Sequence, residues 1–178
     1  MLTNLMIAGF GGQGVLFTGK IIALSGLLEE KEVSWLPSYG PEMRGGTANC
    51  SVCVDDEPIG CPVVLEPDIL IAMNEPSFDK FIGKVTPGGC AVYDSALIHP
   101  EGTREDIRCR PIPATALATQ HQLDGFSNII LLGYTLQSVP FTSYETLCQA
   151  VKSAVPESKK HLLAPNLEAL KLGYEYQA

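Results

Sequence analysis

The ten residues MIAGFGGQGV (6–15) decide the fold predicted for this chain. An apolar run, NLMIA (4–8), stops at a glycine and predicts a short buried strand. Four glycines and one glutamine follow within residues 9–14, which we call the glycine turn. Such turns commonly bring a backbone close to a phosphate, so the first question is whether this one serves a nucleotide.

A helix and a second strand follow the glycine turn. The helix is predicted from Gly14 to about Glu30, and VSWLPS (33–38) is predicted as a strand. The apolar residues of the helix recur at spacings of four, three and four and predict one buried stripe: Phe17, Ile21, Leu24 and Leu28. A strand, helix and strand of this length predict a right-handed crossover in a parallel sheet.

Composition limits the class of protein. With 178 residues, of which 46% are hydrophobic, the chain suits one domain (1–178) with a real core. The net charge of −8 argues against nucleic acid as a partner, because binding phosphates needs a basic surface. Neither a signal-peptide pattern nor a long apolar run is present, so we expect a cytoplasmic protein without a membrane anchor.

The rest of the chain predicts an α/β fold. TANCSVCV (47–54) alternates like a half-covered strand, and IGCPVV (59–64) is expected as its antiparallel partner. Further strands are expected at 68–73, 90–94 and 107–113, and helices at 77–82, 115–122, 128–138, 143–154 and 165–172, with Gly173 as the last C-cap. We predict a Rossmann-like three-layer fold with a mainly parallel sheet, an inserted antiparallel hairpin and a helical C-terminal third.

The glycine turn itself leaves three uses open. Gly9, Gly11 and Gly14 fit G-x-G-x-x-G between a strand and a helix, the context of dinucleotide binding. However, the second strand ends in Leu-Pro-Ser (36–38) instead of an acidic residue for the ribose, and Lys20 is too far along for a P-loop. Binding of NAD, a turn that only packs, and a contact to an anion or a partner chain remain as alternatives.

The loop SYGPEMRGG (38–46) is the second candidate site. It concentrates Tyr39, Glu42 and Arg44 among glycines and prolines directly after a strand expected to be parallel. Arg44 can hold a carboxylate or phosphate with two hydrogen bonds. The alternative is an ordinary surface loop with an internal pair of Glu42 and Arg44.

The remaining reactive residues predict no catalytic or metal site. The six cysteines are interpreted as reduced thiols, and Cys50 and Cys53 are expected on opposite faces of one strand. No second C-x-x-C completes a zinc or iron–sulfur set. The three histidines are scattered, and no G-x-S-x-G nucleophile elbow is present.

Four segments together resemble a known family. GFGGQGV (9–15), PSYGPEMRGG (37–46), DEPIGCPVV (56–64) and EPDILIAM (66–73), in this order and spacing, resemble the gamma subunit of 2-oxoacid:ferredoxin oxidoreductases. The same module resembles an internal domain of single-chain pyruvate:ferredoxin oxidoreductases. MNEPSFDKF (73–81) is more similar to the 2-oxoglutarate enzymes than to the pyruvate enzymes.

The resemblance implies a subunit of a heteromeric enzyme. Such enzymes convert a 2-oxoacid and coenzyme A to acyl-CoA and CO2 and reduce ferredoxin. Thiamine diphosphate with Mg2+ is expected between alpha and beta subunits, and Fe–S clusters in beta or in a small ferredoxin-like delta subunit. This chain has neither a G-D-G…N-N segment nor a ferredoxin cysteine run, so it is expected to carry none of these cofactors.

The two motifs supply the expected site residues. The glycine turn is expected to contact coenzyme A or another anion through Gly9, Gly11, Gly12, Gln13 and Gly14. The second loop is expected to form a partner interface through Ser38, Tyr39, Gly40, Pro41, Glu42, Arg44, Gly45 and Gly46. A standalone NAD(P)-binding oxidoreductase and a non-catalytic scaffold are the alternatives.

Overall fold

The computed structural model describes residues 2–38, 47–102 and 104–177. Within these ranges the strands are β1 (Thr3–Phe10), β2 (Glu32–Ser38), β3 (Thr47–Asp55), β4 (Ile69–Ala72), β5 (Cys90–Asp94) and β6 (Arg108–Ile112). The helices are α1 (Val15–Leu28), α2 (Glu75–Ile82), α3 (Ala114–Gln120), α4 (Ser127–Ser138), α5 (Tyr144–Ala154) and α6 (Leu163–Tyr174), with a 3-10 helix (Glu157–Leu162) before α6. The predicted α/β class and the helical last third are confirmed.

The described strands form one mixed sheet in the order β2-β3-β1-β4-β5-β6. Strands β1, β4, β5 and β6 are parallel, whereas β3 is antiparallel to both of its neighbours, β1 and β2. β2 therefore runs in the same direction as β1, with β3 between them. The mainly parallel sheet with an antiparallel hairpin is confirmed.

The identity of the hairpin differs from the prediction. β3 pairs with β2 on one side (Ser38 opposite Asn49) and with β1 on the other (Phe10 opposite Thr47). The expected strand at 59–64 is wrong, because both edges of β3 are already occupied and prolines at 58 and 62 cannot donate ladder hydrogen bonds. The hairpin is β2–β3, and its connection, residues 39–46, lies outside the described residues.

Side chains alternate between two cores on the two faces of the sheet. Leu5 and Ile7 of β1 join the larger core with α1 and α3 to α6, and Met6 joins the smaller core with α2. This is the predicted three-layer arrangement. The half-covered face expected for β3 is wrong, because Cys53 is buried in the same smaller core as Val64 of the 58–66 segment.

Helix α1 is buried over more of its surface than the predicted stripe. Ile21 is fully buried as expected, but Leu28 at the end of the stripe is 51% exposed. Small residues fill the sheet-facing side instead: a Cβ at Gly19 would collide with Cys50 Sγ, and one at Gly26 would lie 2.7 Å from a β2 side chain. The two glycines, seven residues apart, let α1 lie close to β2 and β3.

Both edge strands of the sheet contain a proline, Pro37 in β2 and Pro111 in β6, and the described central strands contain none. In β6, the Arg108 N–H and the Ile112 carbonyl bond to the backbone beside β5. Along a strand, the backbone N–H and C=O groups of successive residues face its two edges alternately. Those of Arg108 and Ile112 face β5, so those of Pro111 face the free edge. Prolines are confined to such positions because they donate no ladder bond.

Helices α4 and α6 are in close backbone contact. A Cβ at Gly133 would overlap the Leu170 carbonyl oxygen, and a Cβ at Gly173 would overlap the Ile130 carbonyl oxygen. The expected C-cap role of Gly173 is wrong, because α6 continues to Tyr174 and Gly173 is buried in this contact. Its hydrogen side chain is what allows the two backbones to meet.

Substituting Gly173 by Ala is expected to lower the free energy of unfolding by about 1–3 kcal/mol, because the overlapping atoms are backbone and must shift. Urea unfolding of the full chain measures it. Gly83→Ala is the matched control, since a Cβ there meets no atom within 4 Å and the backbone is already right-handed. Equal stability of the two variants would contradict the close helix contact.

Candidate functional site

The glycine turn connects β1 to α1 at the carboxyl edge of the sheet. Gly12 and Gly14 have φ angles of 99° and 80°, in the left-handed region that favours glycine. Gly14 is also the N-cap of α1, and its carbonyl accepts from the Thr18 N–H at 2.9 Å. No side chain caps this helix start, so its first backbone N–H groups have no capping acceptor. Uncapped N–H groups at a helix start favour an anion.

Gly9 is needed for a different reason. Its backbone is extended, but a Cβ would lie 2.9 Å from both Gln13 Oε1 and Met73 Cβ and 3.0 Å from Val15 Cγ2. The space beside Gly9 is therefore occupied by the side chain of Gln13. Gly12 thus serves the turn, Gly14 the helix start and Gly9 this close packing.

Gln13 bonds to two turns. Its Oε1 accepts from the Phe10 N–H at 2.7 Å and from Asn74 Nδ2 at 2.9 Å, and its Nε2 donates to the Met73 carbonyl at 3.0 Å. Asn74 Oδ1 in turn accepts from the Ser77 N–H at 2.9 Å and caps α2. The amide of Gln13 is thus engaged inside the protein, between the ends of β1 and β4.

A cavity of about 520 Å3 opens on the helical side of the glycine turn. It is bounded by Gly12 and Gly14, by the start of α4 and by the segment 154–166. Lys20 and Lys159 line it together with one carboxylate, Asp124. Within the described part of the chain neither lysine makes an ion pair. This lysine-lined cavity is a local excess of positive charge in a chain of net charge −8.

Asn128 links the cavity wall to the turn. Its side chain is 5% exposed, and Nδ2 donates to Thr18 Oγ1 at 3.1 Å and to the Gly14 carbonyl at 3.4 Å. A Cβ at Gly14 would collide with this Nδ2. The start of α4 therefore holds the start of α1.

A second, apolar cavity of about 290 Å3 lies between the glycine turn and the ends of the β2–β3 connection. Its walls include Gly11, Phe17, Ser38 and Ala48. The glycine turn and Ser38, the first residue of the 38–46 loop, thus lie at the same edge of the sheet, as expected. The other predicted interface residues, Tyr39, Gly40, Pro41, Glu42, Arg44, Gly45 and Gly46, lie outside the described residues.

Strand order explains why the turn lacks the acidic partner of a dinucleotide site. In that site the ribose is bound at the carboxyl end of the strand beside β1. Here the neighbour on that side is β3, which begins at this edge with Thr47 instead of ending there. The Leu-Pro-Ser end of β2 is one strand further away.

The cysteines give no sign of redox or metal chemistry. Cys50 and Cys53 lie in the cores on opposite faces of the sheet, as predicted. Burial raises the pKa of the Cys50 thiol to about 12, so it stays protonated at neutral pH. Among the described residues, no group of three or more His, Cys, Asp or Glu side chains could hold a metal ion.

Sequence reasoning missed three residues of this site: Asn74, Asn128 and Lys159. All three are far along the chain from the glycine turn, and a single asparagine or lysine in a helical segment has no spacing that marks it. In the sequence, Lys20 is distinguished only by being too far from the glycines for a P-loop. The fold brings it to the lysine-lined cavity, one and a half turns into α1.

Residues 4–176 match the protein family described as pyruvate ferredoxin/flavodoxin oxidoreductase. The chain belongs to this family. The 2-oxoglutarate synthase subunit KorC of Methanocaldococcus jannaschii is 33% identical over 178 residues, which cover 98% of this chain and 94% of KorC. The ketoisovalerate oxidoreductase subunit VorA of Methanothermobacter thermautotrophicus is 37% identical over 172 residues, which cover 96% of this chain but 35% of VorA.

Among solved structures, the chain is similar to the 2-oxoglutarate:ferredoxin oxidoreductase of Magnetococcus marinus with 2-oxoglutarate, coenzyme A and succinyl-CoA bound. The TM-score is 0.86 at 26% identity, over 97% of this chain and 30% of that one. This likeness confirms the fold class. The chain spans about a third of the length of the VorA and Magnetococcus proteins, and nearly all of KorC.

None of the helices in the described ranges is both long and apolar enough to cross a membrane.

Replacing Gly14 by Ala is expected to lower the free energy of unfolding by about 1–3 kcal/mol, through the left-handed backbone and the collision with Asn128. Gly12→Ala separates the two causes, because it shares the positive φ but meets no atom within 4 Å. Urea unfolding measures both. We expect the double variant with Asn128→Ala to lose less stability than the sum of the two single variants, and a purely additive result would contradict the contact.

Proposed function

We propose that this chain is the gamma subunit of a heteromeric 2-oxoacid:ferredoxin oxidoreductase. The complex would convert a 2-oxoacid and coenzyme A to acyl-CoA and CO2 and pass the electrons to ferredoxin. The observation that carries the proposal is the lysine-lined cavity against the glycine turn of a chain that matches KorC over nearly its whole length. In this role the chain completes the assembly and contacts coenzyme A.

The chemistry of the cavity suits coenzyme A. Its nucleotide end carries phosphates, which amino groups and backbone N–H groups at a helix start attract. Lys20, Lys159 and the turn at Gly12 and Gly14 supply these groups, while Phe17 and Phe126 add apolar surface. A volume of about 520 Å3 is in the range of small-molecule sites. The Magnetococcus relative has coenzyme A bound.

The 38–46 loop is proposed as the interface with the alpha and beta subunits. Support comes from Ser38 at its start and Ala48 just after it, which line one cavity with the glycine turn. Trp35 and Leu36, on the preceding strand, are 38% and 41% exposed. Exposed large apolar side chains beside a site are common where a partner chain packs. Thiamine diphosphate, Mg2+ and Fe–S clusters would be held by the partner subunits.

The donor groups of the described residues are not arranged to hold those cofactors. Cys50 and Cys53 lie in separate cores, Cys61 is exposed, and the described residues form no metal-binding cluster. No step of the reaction is therefore assigned to a group on this chain. Its proposed work is to bind and orient coenzyme A where a partner subunit presents the acyl group.

We propose 2-oxoglutarate as the substrate of the complex. Support comes from the segment MNEPSFDKF (73–81), which is more similar to the 2-oxoglutarate enzymes than to the pyruvate enzymes, and from the similarity of the chain to KorC. The similarity to VorA, at a slightly higher identity, makes ketoisovalerate the competing substrate. Because the reacting group would be held elsewhere, the assay of the whole complex decides between the oxoacids.

Coenzyme A is expected to bind the full chain, and Lys20→Gln and Lys159→Gln are each expected to weaken binding about threefold to tenfold, because each removes one charge facing the phosphates. Titration calorimetry measures the affinity. Lys152→Gln is the matched control, since Lys152 is exposed on α5 and outside the cavity. Its affinity should equal that of the parent chain.

The same titration tests the alternatives. Dephospho-coenzyme A shows whether the terminal phosphate contributes, and NADH or NADPH tests the dinucleotide reading of the glycine turn. Binding of a nicotinamide dinucleotide with no response to coenzyme A would overturn the proposed contact. A scaffold without ligands predicts no heat with either compound.

Affinity purification of the chain from its native cells is expected to recover alpha and beta subunits. Arg44→Ala is expected to reduce their recovery severalfold, because an arginine can form two hydrogen bonds with one carboxylate of a partner and an alanine can form none. Chains are identified by mass spectrometry, and the complex is assayed with 2-oxoglutarate, ketoisovalerate and pyruvate. Lys152→Gln again serves as the control.

Recovery of no large partner chain would contradict the assembly. If Arg44→Ala left both recovery and turnover unchanged, the loop would not be the interface. Fastest turnover with ketoisovalerate or pyruvate would correct the substrate and leave the subunit role intact.

A further inference from the structure

We propose that Gln13 is a positioning residue: with Asn74 it forms an amide clamp that fixes the glycine turn and closes the crevice between β1 and β4. The clamp directs the turn towards the lysine-lined cavity. The inference rests on the proposed function for its ligand, coenzyme A. The clamp itself is inferred from the hydrogen bonds of Gln13 and Asn74 and does not depend on that ligand.

The crevice is where an open α/β sheet usually binds its ligand. β1 and β4 are parallel neighbours, and the chain leaves β1 for α1 on one face and β4 for α2 on the other. The two connections therefore diverge at the carboxyl edge and leave a gap between them. In this chain the side chain of Gln13 fills that gap.

An amide suits this gap because it donates and accepts at once. Oε1 takes two donors, the Phe10 N–H and Asn74 Nδ2, and Nε2 gives one hydrogen bond to the Met73 carbonyl. Three bonds from one side chain join the turn after β1 to the turn after β4. A carboxylate here would face the Met73 carbonyl with no proton to donate.

Asn74 extends the clamp to α2. It is 4% exposed, it donates to Gln13, and its Oδ1 caps the helix through the Ser77 N–H. Gly9 completes the arrangement, because a Cβ there would lie only 2.9 Å from Gln13 Oε1. The beginnings of α1 and α2 are thus held in fixed relation by two amides.

Closing the crevice determines which ligands can approach. A dinucleotide pyrophosphate lying across the sheet edge would have to displace Gln13 and leave Phe10 N–H and Met73 O without partners. The side of the turn at Gly12 and Gly14 is not involved in the clamp and faces the lysine-lined cavity. The clamp therefore selects a ligand bound on the helical side.

The test uses the purified complex with Gln13→Ala, Gln13→Glu and Asn74→Asp, the last of which keeps the acceptor that caps α2. We expect each variant to raise the KM for coenzyme A at least about tenfold, because each removes at least one hydrogen bond of the clamp, while the KM for the oxoacid stays unchanged. Gln149→Glu, an exposed Gln-to-Glu change on α5, is the matched control.

A second readout separates this inference from the proposed function. In the full chain alone, Gln13→Ala should speed amide hydrogen exchange at Phe10 and at the glycine turn at least tenfold, and the control should not. The Gln13→Ala and Asn74→Asp effects should be non-additive, because both break the same bond.

The outcomes are distinct. Failure of the parent chain to bind coenzyme A, with faster exchange in Gln13→Ala, would overturn the proposed ligand and keep the clamp. Unchanged exchange and unchanged KM in Gln13→Ala would overturn the clamp. Equal rises in the KM of coenzyme A and oxoacid would show a general loss of structure, and would also overturn the positioning role.

Discussion

The pairing of β1 on both sides is the constraint on which the rest of the structure depends. β3 is antiparallel to β1 over the whole strand, from Thr3 to Phe10, while β4 is parallel to it from Leu5 to Ala8. This register brings the end of β1, the start of β3 and the turn after β4 to one edge. The glycine turn, the ends of the 38–46 loop and the crevice filled by Gln13 all follow from it.

Local pattern was sufficient for most elements. The strand before the glycine turn, the helix after it and the C-terminal helices were predicted close to their observed bounds, because their apolar spacing or flanking glycines and prolines are local signals. The resemblance of four short segments also identified the family, which is shown by the match over residues 4–176.

Non-local choices could not be predicted in the same way. β3 alternates equally well whether its partner is 59–64 or β2, and only the filled edges of the strand decide between them. Gly173 looked like a C-cap because a glycine near a helix end usually is one. Its actual reason, the Ile130 carbonyl, lies on another helix.

In the candidate site too, local features could be predicted from the sequence and non-local contacts could not. The glycines were found from their spacing, but the groups that give the turn its chemistry come from α1, α4 and the segment before α6. One sequence feature could have helped: Gln13 is the single polar side chain in a turn of four glycines and one phenylalanine. A polar side chain kept in so tight a turn indicates an internal hydrogen-bonding role.

The prolines of the edge strands bear on how the molecule meets other chains. A strand added along β6 would find a missing donor at Pro111, and β2 carries the corresponding interruption at Pro37. Growth of the sheet from one polypeptide into the next is therefore disfavoured at both ends. Association with other chains then depends mainly on side chains and loops, whose chemistry distinguishes one partner chain from another. It depends less on backbone hydrogen bonds, which every protein can form.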